Sequence, residues 1–114
     1  MKIYIAGKIT GDPDYYRKFQ DAALKVRMSG HVVITPTCLP DNLGTHDDYM
    51  HCCYALIDVS EAVYFLKDWK DSPGATDEFR YAHHTGKHIF FEGDPLPTRE
   101  GISHVNKIDA VASF

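Results

Sequence analysis

Glu61–Phe91 reads EAVYFLKDWKDSPGATDEFRYAHHTGKHIFF, and the fold follows from it. Glu61–Leu66 is a short apolar run of strand type, Lys67–Ser72 is polar, and the spacing predicts a helix from Pro73 to about Thr85. Ser72 suits an N-cap, and Pro73 suits the first helical position, where an N–H would have no partner. Gly86 and Lys87 end the helix, and His88–Phe91 is a second strand. Strand, helix and strand within about thirty residues form a right-handed parallel βαβ unit. Parallel sheets hold ligands at the carboxyl ends of their strands. Asp71, Ser72, Gly74 and, one turn further in, Glu78 belong at that edge.

Working outward, Lys2–Ala6 (KIYIA) is a buried first strand that ends at Gly7. The loop Gly7–Gly11 (GKITG) echoes a phosphate-binding P-loop, but the chain upstream is too short to hold that motif. Two glycines at a strand end serve a tight turn or let backbone N–H groups approach a ligand. Asp12-Pro13 reads as N-cap and first helical residue, and Phe19, Ala22, Ala23 and Val26 share one face until Gly30. His31–Thr35 is a second strand, and Pro36–Thr45 is loop. Thr45–Asp48 opens a second helix that carries Met50, Cys53, Tyr54 and Ile57 toward the sheet. In HDDYMHCC, Asp47 and His51 lie one turn apart, yet no CxxC or HExxH spacing is present, so no metal site is expected. After the fourth strand, Glu92–Gly101 is a turn-rich connector. Ile102, Val105 and Ile108 then fall at helical spacing, as a terminal helix, a fifth strand or a cover for a neighbouring subunit.

The order βαβαβαβ predicts an α/β fold. It is a small doubly wound parallel sheet of Rossmann or flavodoxin-like type, with four to five strands in order 2-1-3-4 and helices on both faces. At 114 residues the chain reads as a single domain, 1–114. Hydrophobic content of 44% and charged content of 25% are globular values rather than those of a disordered chain. A net charge of −4 argues against binding a nucleic-acid polymer, which needs a basic footprint. No apolar run approaches the roughly 20 residues of a membrane span, and MKIYIAG is a strand rather than a signal peptide. Three cysteines, two of them adjacent, are no disulfide framework, so a cytoplasmic setting is expected.

At the predicted edge, Ser72, Pro73 and Gly74 begin a helix whose free N–H groups and positive end would favour an anion. Ala75, Glu78 and Ala82 share one face, with Phe79 alongside, while Asp77 and Arg80 face water. A carboxylate among small apolar residues there suits attack on, or stabilisation of, an oxocarbenium-like centre. An exposed helix glutamate is the alternative reading. Trp69 either packs in its loop or stacks on a base. His83 and His84 come too late in the helix to reach the ligand end.

MKIYIAGKITG, together with AVYFLKDWKDSPGATDEFRYAHHTGKHIFF, resembles the nucleoside 2-deoxyribosyltransferase-like superfamily over residues 1–92. That superfamily includes deoxynucleoside 5′-monophosphate N-hydrolases and small bacterial and phage members. Residues 93–114 stand as an unmatched C-terminal extension. The most specific part is Asp71-Ser72-x-Gly74-x-x-x-Glu78, supported by Tyr4-x-x-Gly7. The resemblance implies that Glu78 is a nucleophile at C1′ of the sugar and that Tyr4 orients it. It also implies that Gly7, Ile9 and Gly11 form one substrate-facing loop, and Ser72 and Gly74 the other. Lys8 stands where hydrolase-type relatives have serine, and would meet a phosphate as a point charge. Cys53 stands where active relatives have an aspartate against the leaving base. Asp58, one turn and a residue later, is a candidate substitute. The implied substrate is a nucleoside or nucleotide, with no metal or organic cofactor, handled by a homo-oligomer of at least two subunits. A non-catalytic nucleotide-binding module is the alternative.

Overall fold

Period-two alternation in the two central strands decides which helix covers which face of the sheet. The computed structural model describes residues 1–98. In chain order its elements are β1 (Lys2–Ala6), α1 (Tyr15–Met28), β2 (Val32–Ile34), α2 (His46–Asp58), β3 (Ala62–Phe65), α3 (Pro73–His84) and β4 (His88–Phe91). Short 3₁₀ turns occupy Pro36–Cys38 and Trp69–Asp71. All three strand pairings are parallel, in the order β2-β1-β3-β4. The doubly wound fold is therefore the one expected, with four strands among the described residues. The helix or fifth strand expected from Ile102 onward lies outside them.

Ile3 and Ile5 of β1, with Ala62 and Tyr64 of β3, point to the face covered by Phe19, Ala22, Ala23 and Val26 of α1. Tyr4 and Ala6, with Val63 and Phe65, point the other way, against Cys53 and Ile57 of α2 and Ala82 of α3. Both central strands are thus buried on both faces, which is why they read as continuous apolar runs. The edge strands β2 and β4 keep residues open to water.

The helix ends carry their own chemistry. Thr45 and Asp48 form a reciprocal capping box at α2: Asp48 N–H donates to Thr45 Oγ1 at 3.2 Å, and Thr45 N–H to Asp48 Oδ2 at 2.9 Å. α1 departs from expectation, beginning at Tyr15 rather than beside Asp12-Pro13. Asp12 Oδ1 accepts from Asp14 N–H at 2.9 Å, and Tyr15 N–H donates to the Asp12 carbonyl at 3.2 Å. Asp12 therefore caps a turn rather than the helix.

Ala6, Phe65 and Phe91 end their strands in register. Gly7, Leu66 and Glu92 leave the sheet along one edge, and α3 returns from it. No helix among the described residues is long and apolar enough to cross a membrane.

Candidate functional site

At the carboxyl edge of the sheet lies a cleft of about 1070 Å³, a size suited to a small organic ligand. α3 supplies one wall. Ser72 Oγ accepts from Ala75 N–H at 3.1 Å, and the Ser72 carbonyl accepts from Thr76 N–H at 3.0 Å. Pro73 has no N–H, so Gly74 holds the remaining donor of that first turn. Ala75, Glu78 and Ala82 form the buried face, and Glu78 is only 5% exposed.

Glu78 is held by the sheet itself. Tyr4, fully buried in β1, donates its phenol O–H to Glu78 Oε2 at 2.5 Å. Burial pushes the Glu78 carboxyl up to about 7, while the phenol's hydrogen bond pulls the other way. Burial, reinforced by the Glu78 charge, holds Tyr4 well above the usual phenol range. Tyr4 is therefore a donor at all ordinary pH values, and Glu78 a carboxyl poised between its two forms near neutrality.

α2 supplies the opposite wall through His46, Met50 and Cys53, which share a face at spacings of four and three. Burial first, and then the Glu78 charge, push the Cys53 thiol up to about 11. At neutral pH it is an uncharged, weakly polar group.

The loop after β1 closes the third side. A Cβ at Gly7 would fall 2.8 Å from Leu66 Cδ1, so glycine lets this strand end pass against β3. Lys18 ties the loop down. Its ammonium donates to the Lys8 carbonyl at 2.8 Å, to Asp12 at 2.5 Å and to Asp68. Lys8 N–H also donates to Asp68 Oδ1 at 3.1 Å. Asp12, Asp41 and Asp71 line the cleft, and no lysine or arginine does so among the described residues.

Of the residues singled out from sequence, Tyr4, Gly7, Ile9, Gly11, Cys53, Ser72, Gly74 and Glu78 converge on this cleft. Three others do not. Lys8 is engaged through its backbone and lies outside the lining. Trp69 stacks on Phe79, with ring centroids 4.8 Å apart, in a cluster with Phe65 and Phe91. Asp58 accepts from the Tyr81 hydroxyl at 2.5 Å on an exposed surface, so it is no substitute for an acid at Cys53. His46, Tyr49 and Asp41 line the cleft without having been singled out. The His46–Met50–Cys53 spacing carried that signal, on the same face already assigned inward through Cys53. Among the described residues, no group of three or more His, Cys, Asp or Glu side chains is placed to hold a metal ion.

A family model described as a domain of unknown function, DUF4406, matches residues 1–91. The chain belongs to the DUF4406 family. No curated protein sequence is significantly similar to it. Among solved structures, this DUF4406 chain is similar to a 2-deoxyribosyltransferase of Bacillus psychrosaccharolyticus, at a TM-score of 0.64 and 19% identity. The match covers 84% of this chain and 77% of that one. It is also similar to a 2-deoxyribosyltransferase of Leishmania mexicana, at a TM-score of 0.61 and 22% identity, covering 79% of this chain. There the DUF4406 chain spans 62% of the other's length. At these identities the likeness is one of fold.

Proposed function

We propose that this chain cleaves or transfers the N-glycosidic bond of a nucleoside, with Glu78 as the nucleophile at C1′. The observation that carries this reading is a buried carboxylate, fixed by a buried phenol, on the wall of a cleft of ligand size. The fold it shares with two 2-deoxyribosyltransferases supports it. Ionised Glu78 attacks C1′, the C1′–N bond breaks with its electron pair going to the base, and a glycosyl-enzyme ester forms. Water, or a second base, then takes the sugar. Tyr4 fixes the carboxylate's orientation and favours its ionised form. Asp41 and Asp71 line the cleft with no lysine or arginine in its lining, and the nearby Lys18 ammonium is already taken by Asp12 and Asp68, which suits a nucleoside better than its 5′-phosphate.

A second reading, a nucleoside-binding module without catalysis, is favoured by the neutral thiol of Cys53 beside the carboxylate. Single-turnover release of free base from a panel of nucleosides and nucleotides separates the two. Glu78→Gln should lose roughly 10³-fold in rate, about 4 kcal/mol of transition-state stabilisation, while still binding. Equal release by parent and variant would sink the nucleophile assignment. Binding by the parent with no release would leave the second reading.

A further inference from the structure

The proposed reaction leaves one step without a residue. As the C1′–N bond breaks, the departing base needs a proton, and Glu78 is occupied at the other end of that bond. Cys53 is too weak an acid with its thiol at about 11, and Asp58 lies outside the cleft. The phenols are committed as donors elsewhere: Tyr4 to Glu78, Tyr15 to Asp41 at 3.4 Å, and Tyr49 to the Pro40 carbonyl.

We infer that His46 is the general acid that protonates the leaving base, an inference that rests on the glycosidic reading above. His46 is the first residue of α2 and lies on the cleft wall. Its Cε1 is 3.7 Å from where a Cβ at Gly74 would stand, so the imidazole lies over the first turn of α3. Gly74 precedes Glu78 by four residues, about 6 Å along the helix axis. The imidazole over the first turn of α3 and the carboxylate one turn further on therefore both line the same cleft. Glycine at 74 leaves the space beneath the ring free of a side chain. His46 is exposed and its ring makes no hydrogen bond among the described residues, so the ring is free to turn onto a ligand. Imidazole is also the side chain that ordinarily exchanges protons near neutrality.

The step balances. Glu78 gives its electron pair to C1′, the C1′–N pair goes to the base, and the His46 imidazolium passes a proton to a ring nitrogen or oxygen of that base. His46 is left neutral, ready to take a proton from the water that attacks the ester. The titratable groups that share the cleft with it are Asp71 and Glu78 from the α3 side, Asp41 from the loop after β2, and Asp12 from the first loop. Cys53, Tyr4, Tyr15 and Tyr49 complete that set.

The test compares the parent, His46→Gln and Glu78→Gln on two substrates. One is a purine 2′-deoxynucleoside; the other is a nitrophenyl 2-deoxyriboside, whose leaving group needs no proton. His46→Gln should lose about 10²-fold on the nucleoside and stay within a few-fold of the parent on the nitrophenyl compound. Glu78→Gln should lose both substrates. Equal losses of His46→Gln on both substrates, or none on the nucleoside, would overturn the assignment of His46 alone. A parent that releases nothing from either substrate would overturn the glycosidic reading and this inference with it.

Discussion

Tyr4 and Glu78 form a pair in which burial and a hydrogen bond act in opposite directions, and substitution separates them. Tyr4→Phe removes the bond that lowers the Glu78 carboxyl and leaves the burial that raises it. The acid-side limb of kcat/KM should therefore move to higher pH, with a smaller loss at its plateau than Glu78→Gln shows. An unshifted limb would mean that the phenol does not tune the carboxylate. Cys53→Asp places a second carboxyl against the first, so the two would titrate as a pair with one member raised. If the cleft lacks only an acid at that position, base release should increase, and unchanged or lower release in the folded variant would refute that. At this scale Glu78 was legible in the sequence because Ala75 and Ala82 flank it on one helical face. Tyr4 was legible only through the family resemblance, since a tyrosine inside a continuous apolar strand looks like any core aromatic. The sequence left Trp69 two fates, packing or stacking on a base, and here the 3₁₀ turn at Trp69–Asp71 lays it over Phe79.

Two devices fix the elements around the cleft. Gly7 passes so near Leu66 that Gly7→Ala must displace a buried side chain. The expected loss is about 1–3 kcal/mol in chemical denaturation, whereas a variant as stable as the parent would show that the strand ends have slack. Lys18 joins the loop after β1 to Asp68 in the loop after β3. Lys18→Met would leave Asp12 and Asp68 without their shared cation and the Lys8 carbonyl without its donor. These groups are each about a quarter exposed, so the expected loss is only about 1–2 kcal/mol. Faster hydrogen exchange confined to residues 7–12 would be the signature, and no change there would refute the tie. Element order, strand order and the inward faces of the helices were readable because period two and period 3.6 assign residues independently of tertiary detail. The start of α1 was not. Asp12 looks like an N-cap in sequence, but the ammonium that takes its carboxylate comes from Lys18, a turn inside the helix.

For the whole molecule, assembly and pH dependence are the two properties to measure. The proposed homo-oligomer rests on the apolar spacing of Ile102, Val105 and Ile108, and light scattering that gives a 12.9 kDa particle at micromolar concentration would exclude it. The pH dependence follows from Glu78. Its carboxyl rises from an ordinary 4.5 to about 7 on folding, so the folded chain holds this proton more tightly than the unfolded chain. Between those two values folding takes up a proton, and stability falls as pH rises. The contribution is fully present below about 4.5 and lost above about 7. The shift corresponds to a change on the order of 3 kcal/mol, or a drop of order 10 °C in Tm for a chain of this size. The parent curve sums the contributions of every group in the chain, so alone it does not isolate Glu78. The difference between the parent and Glu78→Gln does. Near pH 4.5 protonated Glu78 and glutamine are near-isosteres, and the two proteins should melt together. By pH 8 the variant should melt higher, since it has no charge to bury. A difference in Tm that stays constant from pH 4.5 to 8 would show that Glu78 is ionised without penalty in the fold, and that the cleft is wetter than its burial implies.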